Sequence, residues 1–181
     1  MTSSSRAVAV HPPIREWQIR ILRLHAGSKD KDLSGELVAA DLFVDQEGVV
    51  LHNRQERVGF HALSYAWGTS NLTDVIYIGH GKILITRGLR HALQALRSAN
   101  EDRYVWVDTL CINQDDDAEK SAQAQRMFSI YMKADRTMVF LGLAGEHTAL
   151  AIAHLRGLKD STDSTCAETI HRTTACAWPK A

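Results

Sequence analysis

The chain has 181 residues, enough for one ordinary domain with a substantial core. Its 21 Lys and Arg balance 21 Asp and Glu, so no global basic field recruits nucleic acid or an anionic membrane. Cys111, Cys166 and Cys176 form no CxxC pair, which argues against a disulfide framework and a structural zinc site.

The nine histidines show no metal-ligand spacing, so no metal is expected. The first residues lack a charged segment followed by a long apolar core, and no stretch approaches the roughly 18 apolar residues of a membrane span. The expectation is a soluble, cytoplasmic protein.

In chain order, residues 1–13 are small and polar and end in Pro12-Pro13, which reads as a flexible arm. Ile14 to His25 is a first strand and Leu33 to Val44 a second, joined by the loop 26–32. Asp45 to Gly59 is polar and reads as loop. Phe60 to Gly68 is a strand ending on a glycine. Asp74–Ile78 and Lys82–Thr86 flank Gly79-His-Gly81 as a hairpin. That glycine pair lacks the spacing of a phosphate loop.

Leu89, Ala92, Leu93 and Leu96 recur at i, i+3, i+4 and i+7, which predicts a helix over 88–99. A last helix is expected over Glu146 to Leu158. Residues 159–181 are polar, without period, and are expected to be disordered. The final stretch, Thr173 to Ala181, reads like a truncated tail.

The segment 104–142 organises this pattern. Tyr104 to Ile112 is an apolar, β-branched and aromatic run bounded by charge, as in a strand buried on both faces. Helical spacing follows over 117–133, with Ala124, Met127, Phe128, Ile130, Tyr131 and Ala134 apolar. A strand over 137–142 comes next. Strand, helix, strand reads as a βαβ unit, with the two strands as parallel neighbours. Trp106 and Val107 belong to the core.

Several residues stand out against this frame. Asp108 breaks the apolar run and needs a partner if buried: backbone N–H groups, Ser64 or Tyr65 in a structural role, or a ligand in a functional one. Tyr65, Trp67 and Gly68 end one strand together, as an aromatic wall for a ligand or as a core anchor. Asn113 and Gln114 fall at the rim of the 104–112 strand. Glu119 falls in the first turn of the next helix, where Asp116-Asp-Ala-Glu119 resembles a capping box. Cys111 lies inside the apolar run, where a thiolate is disfavoured.

Three blocks then fall into a known order: Ala62-Leu-Ser-Tyr-Ala-Trp-Gly68; Val105-Trp-Val-Asp-Thr-Leu-Cys-Ile-Asn-Gln114 with Glu119-Lys120; and Gln125, Met127, Ile130-Tyr131, Ala134 and Phe140-Leu-Gly142. This pattern resembles the heterokaryon incompatibility (HET) domain of filamentous fungi, with core motifs over 60–142 in a domain of 14–158. The resemblance implies fungal non-self recognition and programmed cell death through protein partners or self-association.

It also implies an α/β, TIR-like (flavodoxin-like) fold. That fold has a mostly parallel sheet, flanking helices and an added N-terminal β-hairpin region. By the TIR analogy, Glu119 becomes a candidate catalytic carboxylate for NAD⁺ hydrolysis, with NAD⁺ as substrate and no bound cofactor. Tyr65, Trp67, Gly68, Asp108, Asn113 and Gln114 become candidate ligand contacts. The alternatives are a non-enzymatic death-signalling module and a truncated, inactive paralogue. One departure is that Arg87-Gly88 stands where the family's helix offers an asparagine cap.

Overall fold

The computed structural model describes residues 10–42, 49–51, 56–65 and 71–143. Trp67, Gly68, the helix expected over 146–158 and the tail 159–181 lie outside the described residues. The chain order is β1 (Gln18–Leu24), β2 (Leu33–Asp41), β3 (Val49–Leu51), β4 (Glu56–Val58), β5 (His61–Tyr65), β6 (Leu72–Ile78) and β7 (Gly81–Thr86). Then come α1 (Arg87–Leu96), β8 (Arg103–Trp106), α2 (Asp108–Cys111), α3 (Asp117–Lys133) and β9 (Arg136–Phe140).

The described strands form one mixed sheet, ordered β4-β3-β2-β1-β8-β5-β9, with β6 beside β2 and β7 beside β6. It is not mostly parallel. Three pairings are parallel, β2–β6, β5–β8 and β5–β9, and five are antiparallel. Hairpins account for most of the antiparallel pairs, because short connections can only reverse the chain. Both the N-terminal hairpin β1–β2 and the hairpin β6–β7 are present.

Strands β8 and β9 run parallel, but they are not neighbours. Strand β5 lies between them and pairs with both, so the crossover through α2 and α3 spans one intervening strand. The stretch 45–59 is not simply loop: β3 and β4 form there by pairing outward from β2, with Val49 and Leu51 buried. Such three-residue strands leave little periodicity to read, since their stability comes from the partner.

The apolar run 104–112 divides. It is strand only to Trp106, and Asp108 to Cys111 make a helical turn. Val107, Leu110 and Cys111 are all buried, and their spacing of i, i+3, i+4 is helical rather than alternating. A continuous apolar run hides that switch of period.

Helix α1 buries Leu89, Ala92, Leu93 and Leu96, as the spacing predicts. Its N-cap is Thr86, whose Oγ1 accepts the Leu89 N–H at 3.2 Å, so the missing asparagine is replaced one residue before Arg87. Helix α3 spans the expected residues, yet its inner face is less apolar than the pattern implied. Ile130 and Ala134 are buried and Met127 and Tyr131 pack against the core, whereas Phe128 is 77 % exposed. Buried Gln123 anchors the helix by donating to the Gln18 carbonyl at 3.0 Å.

Trp106 is fully buried and meets Tyr131 edge-on, with ring centroids 5.7 Å apart. This contact ties β8 to α3. Among the described residues no helix is long and apolar enough to cross a membrane.

Candidate functional site

The C-terminal ends of β5 and β8 bring together most of the described candidates. Tyr65 is the last residue of β5, and Asp108 opens α2 two residues after β8 ends. In open α/β sheets this edge is where ligands bind. The Tyr65 hydroxyl sits 2.9 Å from Thr109 Oγ1. Thr109 in turn donates to Asp108 Oδ1 from its backbone N–H at 2.6 Å and from its hydroxyl at 3.0 Å.

Asp108 is therefore partnered as expected by a backbone N–H, and it reaches Tyr65 only through Thr109. It is half-buried rather than enclosed in a strand. Its second carboxylate oxygen takes no hydrogen bond from the described residues.

Two phenols feel that carboxylate. Burial pushes the Tyr65 hydroxyl above its ordinary pKa and the Asp108 charge adds to the rise, while the Thr109 and Thr86 hydrogen bonds oppose it. Burial likewise raises Tyr131, with Asp108 again adding and a hydrogen bond to Ser64 opposing. Tyr131 comes from α3 and Tyr65 from β5, so Asp108 sits where the helix meets the strand ends.

Asn113 and Gln114 serve the turn between α2 and α3. Gln114 Nε2 donates to the carbonyls of Asp108 and Ile112 at 3.1 and 3.3 Å, which closes the end of the short helix. Asn113 Oδ1 accepts the Asp115 N–H at 3.2 Å, and the Asn113 N–H donates to Glu119 Oε1 at 2.8 Å.

Glu119 combines half a capping box with something the sequence did not announce. Asp116 is the N-cap of α3, its Oδ1 accepting the Glu119 N–H at 3.0 Å. The Glu119 side chain does not return to the Asp116 N–H. Both of its oxygens meet Arg20 on β1: Nη1 donates to Oε1, and Nη2 donates to Oε2 at 3.0 Å. The Arg20 side chain is 3 % exposed and that of Glu119 14 %.

Arg20 also donates to the Pro12 carbonyl at 2.7 Å and to the Cys111 carbonyl at 3.3 Å. One guanidinium thus joins β1, the segment before it, the end of α2 and the start of α3. His11 adds a bond from Nε2 to the Leu110 carbonyl at 3.0 Å, so residues 11 and 12 of the expected arm lie against the fold.

Burial alone would raise the Glu119 pKa. The Arg20 hydrogen bond, the Asn113 N–H and the Arg20 charge outweigh it and hold the carboxyl below the usual range. It is an ionised group with both oxygens engaged.

Cys111 is no nucleophile in this setting. Its thiol is buried, donates toward the Val105 carbonyl, and is pushed up to about 12 by burial. Among the described residues no cluster of three or more His, Cys, Asp or Glu is placed to hold a metal ion.

Arg20, Thr109 and Tyr131 are the site members that sequence reasoning missed. For Arg20 a signal existed: a charge between Ile19 and Ile21 in an apolar strand demands a partner, by the same argument that singled out Asp108.

The motif blocks that converge on this edge match a known family. The family model described as Heterokaryon incompatibility protein (HET) matches residues 60–178, and the chain belongs to that family. It is similar to the heterokaryon incompatibility protein 6, OR allele, of Neurospora crassa, at 38 % identity over a 96-residue alignment that covers 46 % of this chain. The match spans 14 % of that relative's length. No solved structure matches the chain.

Proposed function

We propose that this chain is a fungal non-self recognition domain acting in heterokaryon incompatibility. In this reading it promotes death of incompatible fused cells by associating with protein partners or with itself, rather than by chemistry at Glu119. Family membership and the incompatibility relative support the biological role. One observation argues against chemistry at Glu119: both of its oxygens are occupied by a buried guanidinium. A carboxylate so held has its charge already neutralised by a guanidinium and is poorly placed to stabilise a developing cation, and displacing Arg20 would strand a buried charge.

The test is induced expression of the chain in a filamentous host, scored for viability and for self-association by crosslinking. Killing that accompanies association, and persists when cellular NAD⁺ is unchanged, is the expected result. Killing preceded by NAD⁺ loss would overturn the mode of action.

A second reading, TIR-like NAD⁺ hydrolysis, draws on a different observation. Asp108 offers an unbonded carboxylate oxygen at the C-terminal end of β8, and Glu119 lies in the first turn of the following long helix. In that reading Asp108 grips a ribose hydroxyl, and Glu119 must leave Arg20 to stabilise the oxocarbenium-like centre as nicotinamide departs.

A further inference from the structure

The opposite end of the parallel strands carries a separate cluster. Arg103 opens β8, His61 opens β5 and Arg136 opens β9. His61 and Arg136 are direct register partners, and His61 also pairs with Val105, two residues beyond Arg103. Side chains two apart along a strand share a face, so the two arginines and the histidine sit on one face of three adjacent strands.

Several other arginines of the fold are paired, and those of this cluster are not. Arg20, Arg23, Arg90 and Arg97 all donate to carboxylates or carbonyls. The side chains of half-buried Arg103, exposed Arg136 and His61 make no hydrogen bond or ion pair among the described residues. His61 Nδ1 is buried and without a partner, a position that normally requires one.

The charges facing His61 come from three elements. Burial is the largest influence and lowers its pKa; Arg103 and Arg136 lower it further, and Asp135, between α3 and β9, opposes them. Around His61 one carboxylate, Asp135, is set against two guanidinium groups, an excess of one positive charge with the imidazole neutral.

We propose that Arg103, His61 and Arg136 form a binding site for a phosphate-type oxyanion, delivered as free phosphate or as the phosphate group of a nucleotide. Guanidinium forks match the geometry of such an anion, and paired forks give charge-assisted bonds. An N–H of the His61 ring supplies a third donor. The site lies at the opposite strand ends from Asp108 and does not depend on the function proposed above.

The experiment titrates inorganic phosphate, and separately adenosine monophosphate, into the full chain and follows the His61 imidazole by nitrogen-edited NMR. A saturable shift is expected, with His61 titrating at higher pH in phosphate than in chloride of equal ionic strength. Arg103→Gln and Arg136→Gln should each weaken binding about tenfold, the size of one lost charge-assisted bond. Arg87→Gln, on the exposed start of α1, should leave it unchanged.

Amide spectra establish that each variant is folded, and Arg103→Lys, which keeps the charge, should retain part of the affinity. Tighter binding of the nucleotide assigns the source to nucleotides, and equal binding assigns it to free phosphate. No saturation, a response shared equally with chloride, or affinity indifferent to both arginine variants would mean an adventitious ion only and would overturn the proposal.

Discussion

Arg20 on β1 and Glu119 on α3 lie 99 residues apart in sequence and meet in a two-pronged, largely buried ion pair. The pair fixes where α3 begins. Through the Asn113 N–H and the Cys111 carbonyl it also fixes the turn that carries Asn113 and Gln114.

Removing one partner of such a pair leaves the other buried and uncompensated. Glu119→Gln should therefore destabilise the fold by about 3 kcal/mol, far beyond the few tenths expected of a helix-dipole contribution alone. Chemical denaturation of the two proteins measures the difference. A loss under about 1 kcal/mol would show that the pair contributes little.

Stability should fall in two steps as pH is lowered, and the signs follow from the direction of each pKa. His11 and His61 are both lowered, chiefly by burial. Their contribution to stability is present above the unfolded value of about 6.5 and is lost as pH falls through their folded values. Glu119 is also lowered, so its contribution is present above about 4.3 and is lost as pH falls below that. Melting temperature against pH should be level above neutrality, fall gently below about 6.5, and fall again below about 4.3. His61→Gln should flatten part of the first decline.

Trp106 separates packing from hydrogen bonding. It is fully buried, and its indole N–H has no partner among the described residues. Trp106→Ala should cost about 3–5 kcal/mol. Trp106→Phe keeps the ring against Tyr131 and removes the unsatisfied donor, a relief of about 1–3 kcal/mol, so it should cost much less than alanine. Equal losses for the two variants would contradict the packing role given to the ring.

Arg97 tests a different buried cation. Only 8 % exposed, it donates to the carbonyls of His25, Ala26, Ser28, Lys31 and Asp32 and so organises the β1–β2 loop without a carboxylate. Lysine cannot reproduce that fan of planar donors. Arg97→Lys should destabilise by roughly 2–4 kcal/mol, from the loss of several bonds of about 1 kcal/mol each and more where the donor is charged. Unchanged amide exchange in the loop 25–32 would contradict this role.

Much of the architecture was legible because period and punctuation agree locally. The apolar stripe of α1, the length of α3 and the hairpin around Gly79 are examples. What was not legible depends on distant partners. Glu119 reads as half of a capping box because Asp116 is three residues away, whereas Arg20 is 99 residues away and leaves no spacing rule to find. The helical turn at Asp108 was masked because Val107, Leu110 and Cys111 sit inside an uninterrupted apolar run. The place of β5 between β8 and β9 is set by pairing across the sheet, which no local pattern encodes.

In the proposed mode of action Glu119 holds the domain together and does not perform chemistry. Nicotinamide release from NAD⁺ by the purified chain, measured alongside melting temperature for the wild type and for Glu119→Gln, tests it most directly. Neither protein should release nicotinamide above buffer at any protein concentration that permits self-association, and the variant should melt at a clearly lower temperature. Catalytic release of nicotinamide by the wild type, abolished in a Glu119→Gln protein that melts at the same temperature, would contradict it.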